Sequence, residues 1–345
     1  MEKIVINTNG SVSEILIGAK WESVHELLPE AGVAIITDNN IHRIYGGRFP
    51  DFPVFVIKAG EASKKLEVIE SLAERLIETG IDRTGFILGI GGGVVCDIAG
   101  FLASIYMRGI RCAYISSSLL SQVDASTGGK NGVNLGSTKN VLGCFKQPEF
   151  VICDPVMLQT LPEEEYLSGV AELIKTAIIG NKKLFEIIEK NQEGIIKRDN
   201  ELLSMLISMA VNFKAAVVSE DEKESGLRRI LNFGHTYGHS IEMYKSLRHG
   251  YAVASGMMMA AHFSLHRGYI SDSEYNRIAS LLKSFKFLRR HDIPDDQISQ
   301  LILRDKKKSG NDIYFVFIEA IGKAVVEKIP VNEAVDFYRQ NKPGN

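Results

Sequence analysis

A chain of 345 residues has room for one large domain or two ordinary ones. Its 24% charged and 45% hydrophobic residues describe a globular protein with a buried core, and a net charge of −2 gives no bias toward nucleic acid or an anionic membrane. Cys96, Cys112, Cys144 and Cys153 form no CxxC pair, in a chain far too long for a disulfide-stapled mini-domain, so free thiols in a reducing cytoplasm are expected.

The start, "MEKIVINTNG", lacks the basic region and apolar core of a signal peptide, and no apolar run reaches the roughly 18 residues of a membrane span. "VAIITD" (Val33–Asp38) reads as a buried strand ending in an acid, and "FPVFVIKAG" (Phe52–Gly60) as a strand entering a turn. Lys64–Gly80 has apolar residues at helical spacing and stops at a glycine. "GFILGIGGG" (Gly85–Gly93) is a strand entering a glycine turn, Val94–Met107 a helix, and Cys112–Gln122 begins as a further strand. This βαβ rhythm predicts a parallel sheet with flanking helices.

The texture changes near residue 160. Pro162 followed by Glu163, Glu164 and Glu165 marks a helix N-terminus, and helical periodicity dominates from there. The expected division is an α/β half, 1–160, and a mainly α-helical half, 161–345, with a small hairpin at Asn311–Pro330. A cleft between the halves is the default ligand site.

Four stretches carry chemistry. "GIGGGVVCDIAG" turns from strand to helix, where consecutive glycines let backbone N–H groups approach a phosphate; a plain tight turn would look the same. Asp38, at a strand end, can accept bonds from ribose hydroxyls. "GEASKK" (Gly60–Lys65) offers Glu61 and Lys64 to a ligand, or only caps a helix. "SQVDASTGGKNGVNLGSTKNVLG" sets Asp124, Lys130, Asn134, Lys139 and Asn140 among five glycines, an arrangement suited to a phosphorylated or carboxylated substrate.

The fourth stretch is "RRILNFGHTYGHSIE". Drawn as one helix at 100° per residue, it gathers Arg228, Asn232, His235 and His239 within roughly 60°. Gly234 and Gly238 beside the histidines allow close approach of a second backbone. Elsewhere stand His249 and Glu172, the latter with Lys175 on the same helical face. A Glu/His/His set with an open position is the make-up of a catalytic divalent site, and spacing alone favours His235 with His239 as its pair.

Taken together, "GGGVVCDIAGFLASIYMRGI", "LLSQVDASTGGKNGVNLGSTKNVLG", "LPEEEYLSGVAELIKTAI" and "LRRILNFGHTYGHSIE…LRHGYAVASGM" resemble the 3-dehydroquinate synthase family, in the same order and over Asp38 to Ile321. The resemblance implies a Rossmann-like NAD-binding α/β domain, a mainly α-helical metal- and substrate-binding domain, and a cytoplasmic homodimer. It implies the shikimate-pathway conversion of 3-deoxy-D-arabino-heptulosonate 7-phosphate (DAHP) to 3-dehydroquinate and phosphate. NAD is oxidant and then reductant around a phosphate elimination, and ring opening and aldol closure follow. The implied partner is this small molecule, with no nucleic acid and no membrane.

Carried over by position, the ligands of one zinc or cobalt ion become Glu172, His235 and His249, and His239 faces the substrate instead. The catalytic set becomes Lys130, Lys175, Lys214, Arg228, Asn232 and His239. Substrate contacts fall on Arg108, Asp124, Lys139, Asn140 and one of Lys306 and Lys307. The NAD set begins with Asp38, Asn40, Gly60, Glu61 and Lys64, and continues with Gly92, Gly93, Val94 and Asp97. It ends with Ser117, Ser118, Lys130, Lys139 and Thr160. Two departures stand out: "SSS" (Ser116–Ser118) for Pro-Thr-Thr, and Asn131 for the usual Thr of GGKTGVN. Reactive intermediates imply that the two domains close on the substrate. The rivals are another sugar-phosphate cyclase, such as 2-deoxy-scyllo-inosose synthase or a C7-cyclitol synthase, a metal-dependent dehydrogenase of the glycerol type, and a non-catalytic binding protein.

Overall fold

The computed structural model describes residues 1–8, 10–136, 138–245, 247–287, 294, 297, 300–302, 308–309 and 311–341. Two compact units divide the chain: Met1–Leu161 with Leu203–Glu222, and Pro162–Leu202 with Lys223–Asn345.

The first unit is a seven-stranded, mostly parallel, Rossmann-like sheet. Its strands are β1 (Glu2–Thr8), β2 (Ser11–Ile17), β3 (Val33–Asp38), β4 (Val54–Ile57), β5 (Phe86–Gly91), β6 (Arg111–Ser116) and β9 (Phe150–Cys153). They lie in the order β1-β2-β9-β6-β5-β3-β4. Only the β1–β2 hairpin is antiparallel. Its alternating apolar residues drew no strand assignment from the sequence. β3 and β5 are near-continuous apolar runs because both faces are covered, and β6 is buried from Cys112 to Ser116. On one face Trp21, Val24, Ile35, Leu88, Ile115 and Met157 form the core. Burial of each large apolar side chain contributes about 1.5–3 kcal/mol.

The helices of this unit are α1 (Asn39–Tyr45), α2 (Leu66–Glu78) and α3 (Gly93–Ile105). α3 lies close on β5: a Cβ added at Gly89 would stand 3.0 Å from that of Ala99. From β3 the chain steps outward to β4, then returns to the other side of β3 as β5. The connection reverses there, so the C-terminal ends of β3 and β5 form the switch point where open α/β sheets bind ligands. Asp38 and the Gly91–Gly93 turn stand at those ends.

The glycine-rich polar stretch is not a loop. A single π-helical turn, Ser121–Ala125, leads into an antiparallel pair, β7 (Lys130–Leu135) and β8 (Thr138–Phe145). The pair is tied to the sheet's rim by Asn134, whose N–H donates to the Lys64 carbonyl (2.7 Å).

The second unit holds α4 (Glu163–Gly180), α5 (Lys182–Lys190), α6 (Gln192–Ile196), α8 (His235–Lys245), α9 (His249–His266), α10 (Asp272–Ser284) and α11 (Val331–Gln340). A three-stranded sheet of β10 (Lys308–Ser309), β11 (Asp312–Ala320) and β12 (Lys323–Pro330) completes it, including the hairpin foreseen from alternation. Phe263 on α9 stacks on Phe337 of α11 (centroids 4.2 Å, 13°) and meets Phe315 and Phe317 of β11 edge-on. α7 (Asn200–Glu220) contributes residues from Leu203 onward to the first unit. It is also the one helix among the described residues long and apolar enough to cross a membrane, though 56% of its apolar window is buried in the protein.

Candidate active site

In the second unit three helices converge. Glu172 lies in the middle of α4 and is fully buried. His235 and His249 are the first residues of α8 and α9. Oε1 of Glu172 is 3.3 Å from Nε2 of His249 and 3.8 Å from Nε2 of His235. The Lys175 ammonium, one helical turn from Glu172, contacts its other oxygen. The far nitrogen of each imidazole is engaged: Nδ1 of His235 with the Phe233 carbonyl (3.1 Å), Nδ1 of His249 with the Glu242 carboxylate (3.1 Å). Burial pulls the His249 imidazole down, but its hydrogen bonds to Glu172 and Glu242 outweigh this and push it up to about 10.

One ligand atom from each of Glu172, His235 and His249 lies within 4.8 Å of the others. Two imidazole nitrogens and a carboxylate oxygen at that separation fit a zinc-like divalent ion with an open position. A second set, His239, Glu242 and His249, meets the same distance condition. The His235 and His239 rings touch edge to face, with centroids 5.0 Å apart.

Glycine makes this convergence possible. Gly234 has φ +77°, and a Cβ there would stand 2.6 Å from Met257. A Cβ on Gly256 would stand 2.0 Å from the Gly234 carbonyl oxygen, and one on Gly250 2.3 Å from Ser168 Cα. α9 therefore meets the start of α8 and the wall of α4 backbone to backbone. Arg248 fixes the start of α9 by donating to Glu164 (2.6 Å) and to Glu165.

The left-handed turn at Gly234 corrects one expectation. Arg228 to Glu242 is not a single helix. Leu227–Asn232 is a 3-10 turn, Phe233 is extended, and α8 starts afresh at His235. Arg228 is nonetheless only 2% exposed, and the Asn232 amide donates to Glu224. Arg229 leaves the buried side and lies 3.7 Å over the ring of Tyr314.

The first unit holds a second cluster. Lys64, 4% exposed, donates to Asp97 Oδ2 and to Asn140 Oδ1 (both 2.5 Å), and stands 3.9 Å from Glu61. Asn134 donates to Glu61 (2.9 Å) and accepts from the Asn140 backbone (2.8 Å), holding Asn140 at φ +50°. Burial raises the Asp97 carboxyl to about 6 against the pull of Lys64. A groove of about 290 Å³ runs beside Glu61, Lys64 and Asn134.

At the glycine turn, a Cβ on Gly92 would lie 3.2 Å from Ser118 Oγ, and one on Gly93 3.1 Å from Ala125. α3 starts at Gly93, directly after this turn, and the Ser117 N–H donates to the Gly91 carbonyl (2.9 Å). This cradle fits the phosphates of a dinucleotide. Asp38 spends one carboxylate oxygen capping α1, accepting from the N–H groups of Asn40 and Ile41 (2.8 and 3.0 Å). Gly60 turns at φ +102°, and the Thr160 hydroxyl pairs with that of Tyr45 (2.7 Å).

Of the other expected residues, Lys214 on α7 reaches the carboxylate and the carbonyl (2.5 Å) of Asp124. Lys130 and Lys139 are exposed on β7 and β8. Arg108 is exposed at φ +68° and enters neither cluster among the described residues. Lys306 and Lys307 lie outside the described residues. Asn131 is a structural substitute. It accepts from Tyr114 Oη and donates to the carbonyls of Gly129 and Lys146 (all 2.9 Å). Glu242 and Glu224 were missed from sequence. For Glu242 the signal was present: it lies seven residues, two helical turns, after His235.

Two family models match the chain, "3-dehydroquinate synthase N-terminal" over residues 54–168 and "3-dehydroquinate synthase C-terminal" over residues 169–308. A relative named 3-dehydroquinate synthase from Dictyoglomus thermophilum is 42% identical over 295 residues, covering 85% of this chain and 82% of that one. Among solved structures, 2-deoxy-scyllo-inosose synthase complexed with carbaglucose-6-phosphate, NAD+ and Co2+ superposes with a TM-score of 0.88 at 24% identity, over 99% of this chain and all of that one. The 2-epi-5-epi-valiolone synthase of Streptomyces hygroscopicus subsp. jinggangensis, with NAD+ and Zn2+ bound, gives 0.87 at 24% identity, over 97% and 99%.

Proposed function

We propose a division of labour within this chain, which belongs to the 3-dehydroquinate synthase family. It is an enzyme of that family's activity, the conversion of DAHP to 3-dehydroquinate and phosphate.

Glu172, His235 and His249 would hold one zinc or cobalt ion, which when bound supplies Lewis acidity toward the substrate's hydroxyls. The Gly92–Gly93 turn, with Val94, Ser117 and Ser118, would hold the phosphates of NAD. Asp38, Asn40, Gly60, Glu61, Lys64, Asp97 and Thr160 would complete that site. NAD when bound supplies a reversible hydride acceptor, so the reaction ends without net redox change.

The remaining residues bind and move protons. The buried Arg228 guanidinium presents parallel donors suited to the substrate's carboxylate. Lys175 pairs with the Glu172 carboxylate and brings an ammonium to the same place. Lys214, held by Asp124, supplies a second cation, and Asn232 binds a hydroxyl. Lys130, Lys139, Asn140 and one of Lys306 and Lys307 take the phosphate. Because a leaving phosphate oxygen can itself accept the C6 proton, the protein needs no strong base there. His239, beside both ligating imidazoles without belonging to their set, serves the later proton transfers. We assign residues 1–160 to NAD, with Lys130, Lys139 and Asn140 reaching the substrate phosphate, and 161–345 to metal and substrate, in a cytoplasmic protein whose homodimer sedimentation would test.

What supports this reading is the meeting of Glu172, His235 and His249, from three helices, with Lys175 on the same carboxylate. The test is purified protein with zinc or cobalt, NAD+ and DAHP. Phosphate should appear without NADH accumulation, and a chelator should stop it. No phosphate release would overturn the reading; release from glucose 6-phosphate instead would move the chain to another cyclase activity.

A further inference from the structure

α8 carries His235, His239 and Glu242, which lie within roughly 60° of one another around the helix. The metal reading uses the first and gives the second to the substrate. It leaves Glu242 without a task, although that side chain is only 12% exposed. Its Oε2 lies 3.1 Å from Nδ1 of His249, and Nε2 of the same ring lies 3.3 Å from Glu172. The imidazole thus stands between two carboxylates, one on each nitrogen. A carboxylate can only accept, so the bond to Glu242 keeps Nδ1 protonated, and Nε2, which faces Glu172, is the nitrogen left to exchange its proton for an ion.

His235 has its Nδ1 fixed by a backbone carbonyl, which no substitution can remove. His249 has no such backbone partner for that nitrogen in the described contacts. Arg248 anchors the backbone at the start of α9, but an anchored backbone leaves the ring free to turn about its side-chain torsions.

We propose that Glu242 is a positioning residue for the metal site: its carboxylate accepts the Nδ1 proton of His249 and holds the ring with Nε2 toward Glu172. It also makes that nitrogen a stronger donor to zinc or cobalt, as carboxylate partners of ligating imidazoles do. This rests on the metal reading above.

The experiment measures zinc affinity by competition with a chromophoric chelator, and the visible spectrum after cobalt substitution. It compares the wild type with Glu242→Gln, Glu242→Ala, Glu172→Gln and His235→Ala, each checked for folding by circular dichroism. Expected are one tightly held ion in the wild type, its loss in Glu172→Gln and His235→Ala, and about 10–100-fold weaker binding with a shifted cobalt band in Glu242→Ala. Glu242→Gln, which keeps shape and an acceptor oxygen, should fall between and carries the test if the alanine variant misfolds. Glu242 variants that match the wild type in affinity and cobalt spectrum overturn the proposal. So does complete loss of the ion in Glu242→Ala with retention in Glu172→Gln and His235→Ala, which would make Glu242 a ligand alongside His239 and His249. A wild type that binds no ion fails the metal reading itself, a distinct result.

Discussion

Replacing Gly256 by alanine tests whether the spacing of α8 and α9 sets the metal site. The new Cβ would lie 2.0 Å from the Gly234 carbonyl oxygen and 2.6 Å from the Gly238 nitrogen, where ordinary contact begins at 3.4 Å. Both obstacles are backbone, so no side chain can swing aside. The helices must part by roughly 1 Å, and overpacking of this kind costs about 1–3 kcal/mol. His235 follows directly on Gly234, and His249 lies two turns before Gly256 on the other helix. Metal–ligand distances tolerate only about ±0.2 Å. Gly256→Ala should therefore lower the melting temperature by several degrees and weaken zinc at least about tenfold. Ser264→Ala is the matched control. It removes the acceptor of the buried Ile318 N–H (3.0 Å), at about 1–3 kcal/mol, without touching the α8–α9 contact. Chelator competition and calorimetry on both variants decide the matter. Equal zinc affinity in Gly256→Ala and Ser264→Ala, at equal stability loss, would refute the link between helix spacing and ligation.

His235→Ala should arrive without bound zinc, while His239→Ala should keep its zinc and lose turnover; metal analysis showing equal loss would restore the four-residue pair. Asp97, held up at about 6 by burial, gives a pH signature. Between about pH 4 and pH 6 the folded protein takes up a proton that the unfolded chain does not, so this group's penalty is absent below that window and complete above it. The melting temperature of Asp97→Asn relative to wild type should rise across the window and level off beyond it, and a flat difference would remove the assignment. Asn131→Ala strands the Tyr114 hydroxyl and the Lys146 carbonyl, while the Gly129 carbonyl keeps its bond from the Lys146 N–H, and should cost about 3 kcal/mol by urea unfolding. Asn131→Thr, with one hydroxyl to offer, should recover part of that, and a threonine variant as unstable as alanine would show the bonds are not what matters.

The elements legible in the sequence were those whose burial leaves an unbroken apolar run or apolar residues in every helical turn. β3 and β5 are apolar on both faces, and α3 and α9 repeat apolar residues every turn. β7 and β8 escaped because their residues are polar and rich in glycine; cross-strand pairing, not burial, holds most of β8 in place. The break at Gly234 was also hidden. Glycine in a helix and glycine at φ +77° read alike until Met257 is seen packed against it. In the site, the identities of the polar residues were visible, while their pairings were not. Lys64 with Asn140 is separated by 76 residues and Lys214 with Asp124 by 90, and no local pattern encodes either.

Lys64 has one ammonium and gives it both to Asp97, assigned to the cofactor, and to Asn140, assigned to the substrate. With Asp97 serving NAD and Asn140 the sugar phosphate, as proposed, the two binding events draw on one donor and are expected to be energetically linked. Whatever NAD changes in the affinity for the sugar phosphate, by drawing that ammonium toward one side or releasing it, the sugar phosphate must change in the affinity for NAD by the same factor. Titrating each ligand with and without the other, in the wild type and in Lys64→Met, would close that thermodynamic square, and its coupling would collapse in the variant.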